Sequence, residues 1–487
     1  MSKDNTAKNK GAIKHFINNN MVVIMFVILC SVCLVISKTS PSYVLMEVAT
    51  RFGRNTCLVL ALIIPCLAGL GLNFGIVVGA TAAQIAVFFI GHWGFTGIGG
   101  FILCLLMSTP LAILFGLLLG VLYNKTKGSE MIAGLVAGFF TDGVYRLFVL
   151  YIIGGVIPFD DPNLLERGFG LRNAYDLTNI NMKYALDDIS FFIVMRIGFI
   201  LLALTLMTKW LYNKKQGKPC SAKLNIIKLA GCAAGLIASF ALPMVPYFQT
   251  ILGGTRLYLC DAICLGAVVI LVWRTVKLIA SKISGESINW KKYIWTVVGC
   301  IAAYALTYVP AVYDAIMDVE FSSAAYATIF LFCIINNWLL DTKLGMDMRT
   351  VGQSRVVATS AGINVNKTRI IATCISTVLA AWGQLVFLQN LGTFNTVQQQ
   401  SFVGLYAVAA ILVGGASIQK ATNKQAVLGV VLFHFLFVVA PLAATQIVGD
   451  SAISEYIRMF ISYGIITVAL AMHTMKTRKE KNKSNMA

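Results

Sequence analysis

About fourteen apolar stretches follow one another between residues 21 and 475, with short polar connections between them. They lie near 21–37, 57–72, 74–91, 97–123, 131–157, 189–212, 226–246, 258–275, 292–310, 322–341, 368–389, 402–418, 425–448 and 454–475. A helix crosses the hydrocarbon core of a bilayer in roughly 20 apolar residues. Within a bilayer every backbone polar group must find an internal partner, which leaves helices or closed barrels. Runs this long and this apolar are helical, so the expected fold is an all-α, polytopic membrane helical bundle. The pieces at 57–72, 74–91 and 402–418 are short and glycine-rich, and there some broken or re-entrant helices are expected.

Composition excludes the soluble classes. Only 12% of the 487 residues are charged, about half of what a soluble globular chain carries. The net charge is +19, which in a soluble chain would suggest nucleic acid. Here the cations gather in alternate loops: Lys125 and Lys127; Lys214, Lys215, Lys218 and Lys223; Lys277, Lys282, Lys291 and Lys292; Arg349, Arg355, Lys367 and Arg369; Lys420 and Lys424. The intervening segments are acidic on balance, as in 158–188 and 311–321, and only Lys38, Arg51 and Arg54 run against the trend. By the positive-inside rule the basic tails 1–20 and 476–487 are both expected in the cytoplasm, with no nucleic-acid partner and with membrane lipid around 21–475.

Chemistry-bearing motifs are missing. There is no phosphate loop, no H-E-x-x-H and no G-x-S-x-G in the chain, so neither ATP binding by this chain, nor a metal site, nor hydrolase catalysis is expected. No cofactor is expected. The twelve cysteines sit mostly inside apolar runs, as buried thiols would. Polar groups within the apolar runs are the remaining candidates, because an ionisable residue at membrane depth faces a cavity or the bundle interior. Asp142 and Arg146 stand i, i+4 and can pair on one helix face. Asn73, in Gly69-Leu-Gly-Leu-Asn-Phe-Gly75, marks a broken helix. Gln84, Asn336, Asn337 and Gln384 are polar linings or interhelical hydrogen bonds. The pairs Gly75–Gly79, Gly116–Gly120 and Gly134–Gly138 are expected to let helices approach closely within the bundle.

The loop 341–367 carries more information. Ser354 suits a helix N-cap and Gly362 a C-terminal stop, with about two turns between them. Val357, Ala358 and Ala361 form an apolar stripe. So short a helix is unstable alone and must pack on its own bundle or in a partner's groove.

This stretch resembles the cytoplasmic coupling loop of ABC-transporter permeases of the branched-chain amino acid and simple-sugar importer family. Gly345, Arg349, Gly352, Ala358, Ala361, Gly362 and Ile363 match the family pattern, whereas Thr350, Ser354, Arg355 and Val357 depart from it without changing the spacing. The segment from Gly71 to Gln84 is similar to the family's early broken helix, closest to its sugar and nucleoside branch. Ala410 to Ser417 resembles its late glycine-pair segment, although Gln419 and Lys420 replace small residues. The resemblance covers roughly 57–157 and 322–475. The part at 213–310, with three extra apolar runs, looks like an insertion.

The resemblance implies a non-catalytic importer subunit in the cell membrane. A second permease subunit, the same chain or another, would complete the path. A separate ATP-hydrolysing subunit would hold the 349–363 helix in a cleft, and an extracytoplasmic substrate-binding protein would dock outside, with the acidic 158–188 loop as a candidate surface. Asn73, Gln84, Asp142 and Arg146 would line the path for a small polar solute, a simple sugar or nucleoside. The alternative is an ion-coupled secondary transporter with Asp142 and Arg146 as its coupling charges.

Overall fold

The computed structural model describes residues 21–159, 161–165, 171–215, 222–283, 290–417, 420–450 and parts of 456–471. The tails 1–20 and 476–487, and Gln419, lie outside the described residues. In chain order the helices are α1 (Met21–Ser37), α2 (Pro41–Ala61), α3 (Ile63–Leu67), α4 (Ile76–His92), α5 (Gly97–Lys125) and α6 (Glu130–Leu147). They continue with α7 (Phe191–Lys215), α8 (Ala222–Ala241), α9 (Pro246–Leu252), α10 (Leu259–Ile283), α11 (Trp290–Leu306), α12 (Pro310–Ile316) and α13 (Ser323–Leu340). The last are α14 (Lys343–Gln353), α15 (Arg355–Ser360), α16 (Val365–Leu391), α17 (Gln399–Val413) and α18 (Asn423–Val448). Four three-residue strands form two antiparallel pairs, β1 (Ala174–Asp176) with β4 (Thr393–Asn395) and β2 (Arg256–Tyr258) with β3 (Glu320–Ser322).

Eight helices among the described residues are long and apolar enough to cross a membrane, and α11 with α12 makes a ninth if that pair, bent by 81°, counts as one. Four shorter apolar helices cover 21–37, 76–92, 229–244 and 399–413. Thirteen of the apolar runs are therefore helical, and the fourteenth falls where description is partial. The first glycine-rich run differs from expectation. Its helix begins at Pro41 instead of near residue 57 and ends at Leu67. The early charges Arg51 and Arg54 hide that start, yet their guanidinium groups lie over aromatic rings, 5.3 Å from Phe437 and 5.6 Å from Phe387.

The chain forms two units. The described residues of 1–39, 51–186 and 328–487 make one, those of 40–50 and 187–327 the other. In the second, Phe192, Leu252 and Leu257 make a small core with Phe248 and Phe321 against it. The region 213–310 belongs to this unit.

In the first unit α16 is central, with fully buried stretches facing α4 and α5. Small residues set the spacing: a Cβ on Gly116 would lie 2.8 Å from Cys374 Cα, and one on Gly120 3.0 Å from Ile370 Cα. Gly79 meets Ala380, and Gly134 comes against Gly75. The small-residue pairs are thus seams inside this chain. On the outside Leu106, Leu118, Ile132, Phe139 and Phe140 are all more than 60% exposed, a surface suited to hydrocarbon.

Candidate functional site: the coupling loop and the broken helix

The α14–α15 hairpin is fixed by its caps. The Thr342 hydroxyl accepts from Gly345 N, and the Ser354 hydroxyl accepts from Val357 N. Gly362 at φ +77° ends α15, with Gly362 N donating to Thr359 O and Ile363 N to Ala358 O, both at 3.0 Å. That pair of bonds is the Schellman closure, which requires a left-handed residue best supplied by glycine. Ala358 is fully buried while Val356 and Val357 are 77% and 59% exposed. The stripe read from sequence is therefore divided: Ala358 packs inward and Val357 outward. Arg349, Ala361 and Gly362 are exposed, Ile363 is half-buried, and Gly345 is buried against Leu340.

Gly352 is where the hairpin meets the rest of the fold. A Cβ on Gly352 would run into the Leu67 carbonyl oxygen and lie 3.0 Å from Gly69 N. A Cβ on Gly69, itself at φ +71°, would lie 2.8 Å from Gly352 Cα. Backbone therefore rests on backbone between α14 and the break at 68–75. A cavity of about 490 Å³ adjoins this contact, lined by Gly71, Gly128, Glu130, Gly352 and Arg355 among others.

Asn73 organises the break. Its side-chain oxygen accepts from Tyr123 Oη at 2.5 Å and from Gly75 N at 3.0 Å, and its amide nitrogen donates to Ser376 Oγ at 3.5 Å. These bonds replace those the interrupted helix gives up. Glu130 anchors α15 from the other side. Its Oε1 accepts from Arg355 at 2.5 Å and from Arg369 at 2.6 Å, and its Oε2 accepts from Gly128 N at 3.0 Å. Arg369 is fully buried and also donates to Tyr123 O at 3.2 Å. Sequence reasoning missed this carboxylate. Its only signal is a charge at the start of an apolar run, and its two arginine partners lie more than 220 residues away.

The Asp142–Arg146 pair forms as its spacing suggests, at 2.8 and 2.9 Å. Asp142 Oδ1 also accepts from Gln400 Nε2 at 2.8 Å and from Ser401 Oγ at 3.4 Å, two partners the sequence did not flag. Gln84 and Gln384 are fully buried, and among the described residues neither has a hydrogen-bond partner for its amide nitrogen or oxygen. Asn336 and Asn337 join α13 to Asn423, and Asn336 also reaches Leu60 O.

The described residues of 158–188 include β1 and a network of hydrogen bonds. The Tyr175 hydroxyl donates to Asp161 at 3.0 Å, and burial first, then the Asp161 charge, raises its phenol above the ordinary range. Asp161 and Asp187 are buried, whereas Asp188 is exposed. Two of the carboxylates that suggested a docking surface are therefore turned inward. Among the described residues no three His, Cys, Asp or Glu side chains gather to hold a metal ion.

Residues 188–470 match the family described as branched-chain amino acid transport system, permease component. The chain belongs to this family of ABC-transporter permeases. The matched range runs through 213–310. The permease is also similar to the autoinducer 2 import system permease protein LsrC of Enterobacter sp. (strain 638), 35% identical over 103 residues, which is 21% of this chain and 29% of that one. The LsrC of Klebsiella pneumoniae is 34% identical over 91 residues, 18% of this chain and 26% of that protein. The permease thus spans under a third of the length of these curated relatives. No solved structure matches it.

Proposed function

We propose that this permease is the membrane-spanning subunit of an ATP-driven importer of a small polar solute, a simple sugar or nucleoside. The observation that carries this reading is the backbone contact of Gly352 with Leu67 and Gly69. A motion imposed on α14 and α15 reaches the broken helix with no side chain between to absorb it. Val356 and Val357 offer the exposed apolar pair that a cleft in an ATP-hydrolysing subunit would cover. In this reading both termini are cytoplasmic, which the basic alternate loops support. A second permease subunit completes the path, and an extracytoplasmic binding protein delivers the solute near 158–188. The import named for the two relatives supports the direction of transport.

Purification of the tagged chain from native membranes in mild detergent tests this. An ATP-hydrolysing chain is expected to co-purify, and Val356→Asp with Val357→Asp is expected to release it. A preparation without such a chain that still transports in ATP-free vesicles would overturn the proposal in favour of ion coupling through Asp142 and Arg146.

A further inference from the structure

The cavity beside the Gly352 contact is walled by three separate segments: 69–71 of the break, 128–132 at the start of α6, and 351–355 of the coupling hairpin. Its volume of about 490 Å³ suits a small organic group. Two guanidinium groups and one carboxylate meet at its wall. Arg355 and Arg369 both donate to Glu130 Oε1, and Glu130 Oε2 accepts from Gly128 N, so the cluster keeps one uncompensated positive charge. Among the described residues Arg355 bonds through Nη2 alone and keeps 37% of its side chain exposed. Arg369 reaches the same carboxylate from α16. It is 0% exposed, yet its Nε and Nη1 have no partner among the described residues.

Helix α6 adds donors. Its first backbone bond runs from Ala133 N to Ser129 O, so the N–H groups of Met131 and Ile132 have no helix carbonyl within reach. The Ser129 side chain does not cap them. Both residues line the cavity, at the positive end of the helix dipole. Native folds satisfy nearly all buried polar atoms with protein, water or ligand. Here the surplus is all donors, together with one positive charge, and an anion answers both. The apolar wall continues outside: Ile132 is exposed, as are Val136, Phe139 and Phe140 on the same face of α6. A membrane span begins at Glu130, so hydrocarbon-facing surface starts at the edge of an electropositive cavity.

We propose that this cavity binds the phosphate group of an anionic membrane lipid, with an acyl chain lying along the stripe from Ile132 to Phe140. The phosphate oxygens accept from Arg355 and from the N–H groups of Met131 and Ile132. A lipid phosphodiester carries one negative charge, which matches the single surplus positive charge. A phosphate monoester carries close to two and would leave the cluster, with Glu130 in it, negative. Anionic headgroups concentrate in the cytoplasmic leaflet; placing this face there rests on the importer reading, whereas the anion site itself does not. A lipid held in the cavity bridges the coupling hairpin, α6 and the break, so the anionic content of the membrane acts on the coupling joint.

The test is thermal unfolding of the purified full chain in detergent micelles titrated with phosphatidylglycerol, with phosphatidylcholine, or with inorganic phosphate. A ligand that binds the folded chain raises its midpoint. Phosphatidylglycerol is expected to do so, at a half-saturating content about fivefold or more below that needed by Arg355→Gln, and phosphatidylcholine is expected to have no such effect. Ser129→Asp guards against a folding artefact: a carboxylate at the N-cap favours α6, so the lipid-free midpoint is expected to hold or rise while the lipid response weakens as in Arg355→Gln. Lys127→Gln, an exposed cation of the same loop outside the cavity lining, is expected to respond within twofold of wild type. Equal responses in wild type, Arg355→Gln and Ser129→Asp would overturn the site. Phosphatidylcholine matching phosphatidylglycerol would overturn the anion chemistry. Inorganic phosphate matching it, with the same loss in both variants, would assign a soluble anion and overturn the lipid. Uptake that needs no ATP, with the lipid response intact, would overturn the importer reading alone, so the two can fail separately.

Discussion

Replacing Gly352 by alanine adds one methyl group at the most crowded backbone contact of the coupling loop. Two neighbours receive it: the Leu67 carbonyl oxygen, which it overlaps, and Gly69 N, at 3.0 Å. Neither belongs to a side chain that can rotate away. α14 or the break must therefore shift by roughly an ångström, and overpacking of this kind costs roughly 1–3 kcal/mol or more. If α14 drives the broken helix through this contact, the same shift disturbs both orientations of the path. With the ATP-hydrolysing and solute-binding subunits in proteoliposomes, uptake is expected to fall about tenfold or more, equivalent to ~1.4 kcal/mol on the transport barrier. ATP hydrolysis is expected to continue near the wild-type rate.

Gly362→Ala separates this effect from damage to the loop in general. Gly362 has no atom near its missing Cβ, but its φ is +77°. Alanine there costs about 1 kcal/mol of backbone strain at the end of α15 and leaves the Gly352 contact alone. A modest loss of uptake is expected, with hydrolysis and uptake falling together. Uptake by Gly352→Ala within twofold of wild type, in a protein whose thermal midpoint has dropped as overpacking requires, would refute transmission through this contact.

Three other perturbations have defined outcomes. Glu130→Gln removes the carboxylate beside the fully buried Arg369; breaking such a pair costs about 3–5 kcal/mol, less whatever relief the partly exposed Arg355 provides, and a fall of several degrees in the detergent thermal midpoint is expected. Tyr123→Phe deletes one of two bonds to the Asn73 oxygen, so a loss of about 1 kcal/mol is expected by denaturant titration, with the break still formed. Asp176, in the 158–188 loop, has its carboxyl held below the ordinary 3.8 by hydrogen bonds from the Thr178 hydroxyl and backbone. A depressed carboxyl stabilises the fold above its unfolded pKa and loses that contribution as pH falls through its folded value. Proteolysis of the β1–β4 region is therefore expected to accelerate below about pH 3.8 in wild type and to lose that pH dependence in Asp176→Asn.

What could be read from the chain follows the range of the forces involved. Apolar runs report their own solvent, so thirteen of the helices announce themselves locally. The exception at Pro41 arises because Arg51 and Arg54 lower the local hydropathy, while the rings of Phe387 and Phe437 that receive them lie more than 300 residues on. α15 was legible because caps act within three residues: Ser354 at one end and Gly362 at the other fix its length. The division of its stripe was not, since burial of Ala358 depends on what packs above it.

The same distinction governs the polar groups. Gln84 stands out in an apolar run, and Asp142 with Arg146 stands out by spacing. Gln400 does not, because it closes the polar stretch 395–400 and reads as loop. Only the fold shows that it is buried and bonded to Asp142. Two groups of residues then emerge along the same broken segment. At 67–75 the backbone is pinned by Asn73 and rests on Gly352; nine residues beyond Gly75, on α4, Gln84 is fully buried, with no partner for its amide among the described residues. Since α4 is one uninterrupted helix from Ile76 to His92, a tilt imposed at its start by the Gly352 contact is carried along its whole length, Gln84 included.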